Sequence, residues 1–291
     1  MIRFWHHITV VVSVLVCLTG YELHAQQPAW PDPALTNEVI VVPLEGHSIS
    51  ALITHKPGVT TFTHAVAIFP GDPGRGNLRV ENGQIHYDNQ RGNFLVRSRG
   101  YFLEDGFLTV VIDAPSDYQS GPFWHSFRAS PRYAQDVNAV VGAVSRRFGD
   151  LDWTYAGHSE GTVSAAFAGR RASPDVRRIV LASALTIANY QGPGLSVSDF
   201  KDVKIPVLWV HHRNDPCRWT SYSRAKGLRE GYEFRAGHCY RSEKQPRRRV
   251  PAVQRARVCR HGRQNGQSHR RLDTQRSGPR RYRGLSVARF D

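Results

Sequence analysis

Gly157-His158-Ser159-Glu160-Gly161-Thr162 places a serine between two glycines in the pattern G-x-S-x-G. Trp153-Thr154-Tyr155-Ala156 precedes it as a short β-prone run, and Val163 to Gly169 follows as a small-residue stretch that suits a helix. Strand, sharp turn and helix are the context in which such a serine serves as a nucleophile. A serine on so tight a turn sits in strained backbone, and side chains at the flanking positions would strike the neighbouring strand and helix. The turn lifts the Ser159 hydroxyl above the sheet. It also aims the Glu160 amide, at a helix start, toward a developing oxyanion.

Outward from this turn the chain alternates strands and helices. Glu38 to Leu44 and Ser48 to Thr54 read as paired strands, and Lys56-Pro57-Gly58 as a turn. His64 to Phe69 is a continuous apolar run of the kind a buried parallel strand requires. It ends in Pro70-Gly71-Asp72-Pro73-Gly74-Arg75-Gly76, a loop placed to supply a second oxyanion amide near Gly71 or Asp72. Residues 77–100 are polar and read as loop. Phe107 to Ile112 is the next strand. Ser130-Pro131 opens a helix, with Val137, Val140, Val141 and Val144 at helical spacing. Val176 to Leu185 and Ile205 to Val210 read as two further strands, and the short span between them leaves no room for a large lid domain. The alternation predicts an α/β domain with a mostly parallel sheet and helices on both faces.

The 291 residues suffice for one such domain, and the net charge of +15 is unevenly spread. Residues 235–291 hold 17 Lys and Arg against three acids, whereas the rest holds 22 against 21. The body is near neutral and the tail makes the protein basic. At the N-terminus, Arg3, the apolar run Ile8 to Leu18 and Ala25 before Gln26 read as a signal peptide over 1–25. The apolar run is short for a membrane span, although an uncleaved anchor is the alternative. Export to the periplasm or beyond is expected, with no stable span once the leader is removed. Cys217, Cys239 and Cys259 then remain, an odd number for an exported protein.

Across residues 38–234 the chain resembles the α/β-hydrolase family, and within it exported bacterial hydrolase-like proteins. The resemblance is carried by Phe69-Pro70-Gly71, by Asn93 to Arg99, by Asp113-Ala114-Pro115-Ser116-Asp117, by the turn at Ser159 and by His211-His212-Arg213-Asn214-Asp215-Pro216-Cys217. It implies a serine hydrolase with the order Ser, Asp, His, acting on a small-molecule acyl substrate without a cofactor. Ser159 matches the nucleophile and Asp215 the acid that would orient a histidine and stabilise its imidazolium. Gly71, Asp72 and Glu160 match the oxyanion hole. Asp113 and Asp117 also end a strand and are rivals to Asp215. An Asn-Asp-Pro turn is the plain reading of residues 214–216. His211 and His212 raise a metal site, but adjacent residues on a strand point opposite ways and no third ligand is evident.

The family pattern then fails. After the acid it implies a last strand, a loop carrying His-Gly-aromatic and a closing helix. From Arg235 onward no apolar run suits either element, and the tail has 16 Arg in 57 residues. His261-Gly262 is followed by Arg263 rather than an aromatic residue. A shifted reading frame accounts for this. Taking the second and third bases of each codon with the first base of the next, Arg235 to Tyr240 permits E-L-V-T-V-T. Val250 to His261 permits C-Q-P-F-S-E-H-G-F-V-G-M, and the stretch at Asp273 permits G-A-W-I. The histidine codon would straddle Ala256 and Arg257. Cys239 and Cys259 vanish in that frame, and Cys217 gains a possible partner.

The domain organisation expected is thus a signal peptide, an α/β-hydrolase domain over 26–234 that lacks its last strand and helix, and a basic, disordered tail over 235–291. As given, the chain lacks a placed general base, so very low activity and an unstable sheet edge are expected. A catalytically silent hydrolase-like binding protein is the second reading. A third is polyanion binding by the arginine-rich tail, which carries no specific nucleic-acid motif. Oligomeric state is not legible.

Overall fold

The computed structural model describes residues 30–172 and 174–235, together with the two-residue strands His238–Cys239 and Arg257–Val258. Residues 1–25, read above as a leader, and almost all of residues 235–291 lie outside the described residues. Residues 30–34 belong to a separate unit that ends at Ala34, and there the Ala34 amide donates to Asp32 Oδ1 (2.9 Å).

The remainder is built on one seven-stranded sheet. Its strands are β1 (Thr36–Leu44), β2 (His47–His55), β3 (His64–Phe69), β6 (Phe107–Pro115), β7 (Asp152–His158), β8 (Val176–Ala182) and β9 (Val207–Val210). The small hairpin β4 (Arg79–Glu81) and β5 (Gln84–His86) stands apart. The spatial order is β1-β2-β6-β3-β7-β8-β9. β1 and β2 are antiparallel to their neighbours, and all pairs from β6 to β9 are parallel. β7, which delivers Ser159, lies between β3, which delivers the glycine-rich loop, and β8.

The period-two alternation of the strands divides the core between the two faces. One face presents Ala67, Val110, Trp153, Tyr155, Ile179 and Leu181, all buried. It packs under α3 (Pro131–Phe148) and α4 (Gly161–Arg170), and the Trp153 indole donates to Ser145 of α3 (3.2 Å). Burying one such large side chain stabilises the fold by about 2–3 kcal/mol. α3 begins as its sequence dictates. Ser130 accepts from the Tyr133 amide (3.1 Å) and Pro131 fills the first turn. α5 (Tyr222–Arg235) joins the same face through Leu228 and Tyr232, and the Tyr232 hydroxyl donates to the Ile205 carbonyl (2.9 Å).

The other face presents Leu52, Val66, Ile68, Val111 and Ala156, also buried. It is covered by α1 (Phe94–Arg97) and the 3-10 turn Arg99–Phe102. Buried Arg99 donates from Nε to Thr54 (3.0 Å) and from Nη1 to the Val96 carbonyl (3.1 Å). Parallel strands with helices on both faces, and a serine turn at the end of a central strand, are the α/β-hydrolase fold.

Two sequence expectations are corrected. Residues 77–100 are not simple loop, since they contain the hairpin and α1. Val176 to Leu185 is strand only as far as Ala182, because Ser183 adopts a positive φ of 46° and turns the chain. Among the described residues no helix is long and apolar enough to cross a membrane.

Candidate active site

Ser159 has φ +53°, a left-handed conformation that costs a non-glycine residue about 1–2 kcal/mol. The surroundings hold it there. The Ser159 amide donates to the Ala182 carbonyl (3.1 Å), and the Thr162 hydroxyl and amide donate to the Ser159 carbonyl (2.6 and 2.9 Å). Both flanking glycines are required by space. A Cβ on Gly157 would come within 2.3 Å of the Gly161 carbonyl oxygen, and one on Gly161 within 2.0 Å of the Phe69 oxygen. The sharp turn between β7 and α4 is therefore a consequence of the G-x-S-x-G spacing.

The glycine-rich loop reaches the same place. A Cβ on Gly71 would stand 3.3 Å from Ser159 Cβ and 3.1 Å from the His158 carbonyl oxygen, so Asp72 begins beside the serine. Neither the Asp72 nor the Glu160 amide donates to a backbone acceptor among the described residues. Backbone amides near a serine and not spent on a backbone acceptor are the kind of donor that a tetrahedral oxyanion needs.

Asp113, a rival acid at sequence level, has a different task. It is 1% exposed, and its carboxylate accepts from the amides of Gly76 (2.9 Å), Leu78 (2.8 Å) and Ala114 (2.8 Å) and from Gln119 Nε2 (2.9 Å). Burial pushes its pKa up to about 6 in spite of these donors. Asp113 thus fastens the far end of the glycine-rich loop to β6. Asp117 pairs with Arg132 at the surface (2.7 Å).

Asp215 lies in the turn after β9, at the same carboxyl end of the sheet as Ser159. His158, Ala182 and Val210 are in register across β7, β8 and β9. Asp215 Oδ1 accepts from the Cys217 amide (3.0 Å) and Oδ2 from the Thr220 hydroxyl (2.9 Å). Partial burial works against its charge, but these donors, His211 and the Ser183 hydroxyl outweigh burial and hold the carboxyl below its ordinary range. The imidazole beside it is His211, whose Nε2 is 3.6 Å from Oδ2 and donates to the Thr220 carbonyl (2.5 Å). His212 is exposed. His158 packs on the Phe94 ring (5.7 Å between centroids), and burial pushes its pKa down against the opposing pull of Asp215.

One feature of the site escaped the sequence reading. The Glu160 side chain, whose backbone amide alone was singled out, is buried. Oε2 accepts from His125 Nε2 (2.5 Å) and Oε1 from Asn189 Nδ2 (2.5 Å). His125 Nδ1 accepts from the Gly194 amide (3.3 Å), so the ring hydrogen lies on Nε2, toward the carboxylate. Burial opposes the charge of Glu160, yet His125, Asn189 and nearby Arg128 hold its pKa below the ordinary value. Arg128, on α2 (His125–Arg128), donates to the Phe123 carbonyl (3.0 Å) and the Ser164 hydroxyl (2.9 Å). Sequence could show an acid after the serine, but not partners 35 residues before and 29 after it.

Among the described residues the sheet edge beyond Asp215 is bare. β9 pairs with β8 alone among the described residues, and Leu208 and Val210, on the sheet face that also carries Ile68 and Ala156, are 47% and 40% exposed. The strand His238–Cys239 pairs with Arg257–Val258 and not with β9. A cavity of about 430 Å³ lies over β1, β2 and residues 77–80, and its lining does not include Ser159.

No protein-family profile and no curated protein matches the sequence. Solved structures resemble the chain at low identity. A cold-adapted esterase from an Arctic intertidal metagenomic library has a TM-score of 0.48 at 12% identity, over 68% of this chain and 80% of that one. A dienelactone hydrolase from Anabaena variabilis has a TM-score of 0.47 at 15% identity, over 69% and 82%. Est1E from Butyrivibrio proteoclasticus has 0.46 at 14% identity, over 67% and 85%. The fold assignment rests on the strand order and the serine turn.

Proposed function

We propose that this chain of α/β-hydrolase fold is a serine hydrolase of the ester type, exported, and impaired in the form given. The observation that carries the reading is Ser159 at φ +53°, pressed against Gly71 and followed by a helix start. A strained serine between two amides is what attack on an acyl carbon requires, and strain of this kind persists only where the surroundings over-determine it.

In this reading Ser159 Oγ adds to the acyl carbon as its proton passes to a base. The amides near Gly71 or Asp72 and at Glu160 hold the resulting oxyanion. Collapse expels the alcohol and leaves an acyl-enzyme, which water hydrolyses. Asp215, ionised and fixed by Cys217 and Thr220, would orient the base and stabilise its imidazolium.

The base is the missing part. His211 is beside Asp215 but commits its Nε2 hydrogen to the Thr220 carbonyl. The shifted frame of the tail permits a histidine after a strand; among the described residues β9 has one unpaired edge, where that strand would pair, and exposed Leu208 and Val210, which a following helix would cover. Sequencing the source DNA across codons 230–265 tests this. A one- or two-base discrepancy restoring H-G-F is expected. An intact frame would remove the base and turn attention to what the basic tail binds.

A further inference from the structure

The glycine-rich loop and the serine turn are joined by a third segment, residues 189–194, which the hydrolase reading does not use. At one end Asn189 donates to Glu160, next to Ser159. At the other, Gln191 Nε2 donates to Asp72, next to Gly71. Between these ends the segment is seated on His125. The His125 amide donates to the Gln191 carbonyl (3.1 Å), and a Cβ on Gly192 would come within 2.5 Å of the His125 ring. The segment is therefore a strap fixed beside both halves of the candidate oxyanion site.

What the strap presents is specific. Gln191 is 7% exposed, and its orientation is set by Nε2 donating to the Asp72 carboxylate and to the Tyr190 hydroxyl (3.1 Å). That leaves Gln191 Oε1 buried with no hydrogen-bond partner among the described residues. A buried acceptor without a donor costs about 1–3 kcal/mol, a cost the strap bears while it keeps Nε2 on Asp72. Next to it the Tyr190 ring is 74% exposed and Trp124, which precedes His125, is 49% exposed. Two exposed aromatic rings and the exposed carboxylate of Asp72 thus border the strap as a rim, while Gln191 Oε1 is buried within the strap.

We infer that this rim is a subsite for a hydroxyl-bearing ring on the substrate. The ring's flat face packs on Tyr190 or Trp124, and its hydroxyl donates to the Asp72 carboxylate, which Gln191 Nε2 orients. A sugar and a hydroxyaryl group share this chemistry. The inference rests on the hydrolase reading for the identity of the adjoining site, but binding at the rim needs no turnover.

The test measures binding to the full chain carrying Ser159→Ala, so that nothing is hydrolysed. The probes are methyl 6-O-acetyl-glucopyranoside, methyl 4-hydroxybenzoate and ethyl butanoate, read by saturation-transfer NMR titration. At least one ring probe binds about tenfold more tightly than ethyl butanoate, and Gln191→Leu and Tyr190→Ala each remove about that factor while ethyl butanoate is unchanged. Tyr190 is exposed, so its variant folds even if Gln191→Leu does not. Which ring probe responds identifies the source. Equal binding of all three probes, no binding of any, or a ring preference untouched by Tyr190→Ala overturns the subsite. Fluorophosphonate labelling of the unsubstituted chain scores the hydrolase reading separately, since it depends on Ser159 and not on the rim.

Discussion

His125 donates its Nε2 hydrogen to Glu160 across 2.5 Å, with the two side chains only 5% and 3% exposed. This bond joins the residue after Ser159 to α2 and, through Asn189 and Gly194, to the strap beside it. Glu160→Gln keeps the shape but removes the charge that two close donors address. The expected cost is about 1–3 kcal/mol. The pH dependence has a definite sign. The folded-state pKa of Glu160 lies below its ordinary 4.5, so its contribution is present above that value and is lost as pH falls through the folded value. Thermal melts should show the gap between wild type and variant wide at pH 7 and narrowing below about pH 4.5.

Asp113 should behave oppositely. Its folded pKa of about 6 exceeds the ordinary 3.8, so its stability contribution is full below that lower value and is lost as pH rises through about 6. Asp113→Asn also sets an amide against the Leu78 or Gln119 donor. Melts should give a gap between wild type and Asp113→Asn that is wider at pH 4.5 than at pH 7. Faster hydrogen exchange at Gly76 and Leu78 should accompany the substitution, because the loop loses its anchor.

The serine turn predicts two substitutions of opposite effect. Ser159→Gly relieves the positive φ and should raise stability by about 1 kcal/mol while abolishing any covalent labelling. Gly161→Ala drives a methyl group into the Phe69 carbonyl and should cost about 3 kcal/mol or prevent folding. Chemical denaturation of both variants checks the pair.

The frame of the fold was legible where chemistry is local. Phe69-Pro70-Gly71, the cap Ser130-Pro131 and the G-x-S-x-G turn each fix nearby backbone through sterics or a neighbouring hydrogen bond, and the structure has all three in the expected form. Asp215 could be singled out by position, but separating it from Asp113 took burial. Asp113 is spent on three backbone amides that no sequence pattern advertises. The Glu160–His125–Asn189 cluster was invisible because its members meet only through the packing of three separate segments. The helix α5 follows from Ala225, Leu228 and Tyr232 on one face, a spacing readable in principle but diluted by charged residues around it.

The bare strand edge separates the chain as given from the frame-restored chain. Val210→Lys places a charge on an exposed position of β9. In the given chain it should suppress aggregation and change stability by less than about 0.5 kcal/mol. In the frame-restored chain, where the proposed closing helix would cover that face, it should cost more than about 1 kcal/mol. Aggregation onset and melting temperature of the four proteins decide the matter.

The central claim is that Ser159 is the nucleophile of an acyl hydrolase. Its most direct test is fluorophosphonate labelling of the frame-restored chain, followed by mass-spectrometric mapping of the adduct. The account predicts one adduct, on Ser159, absent in Ser159→Ala and much slower to form in the 291-residue chain. A folded, frame-restored chain that takes up no label, or takes it up equally in Ser159→Ala, would contradict it.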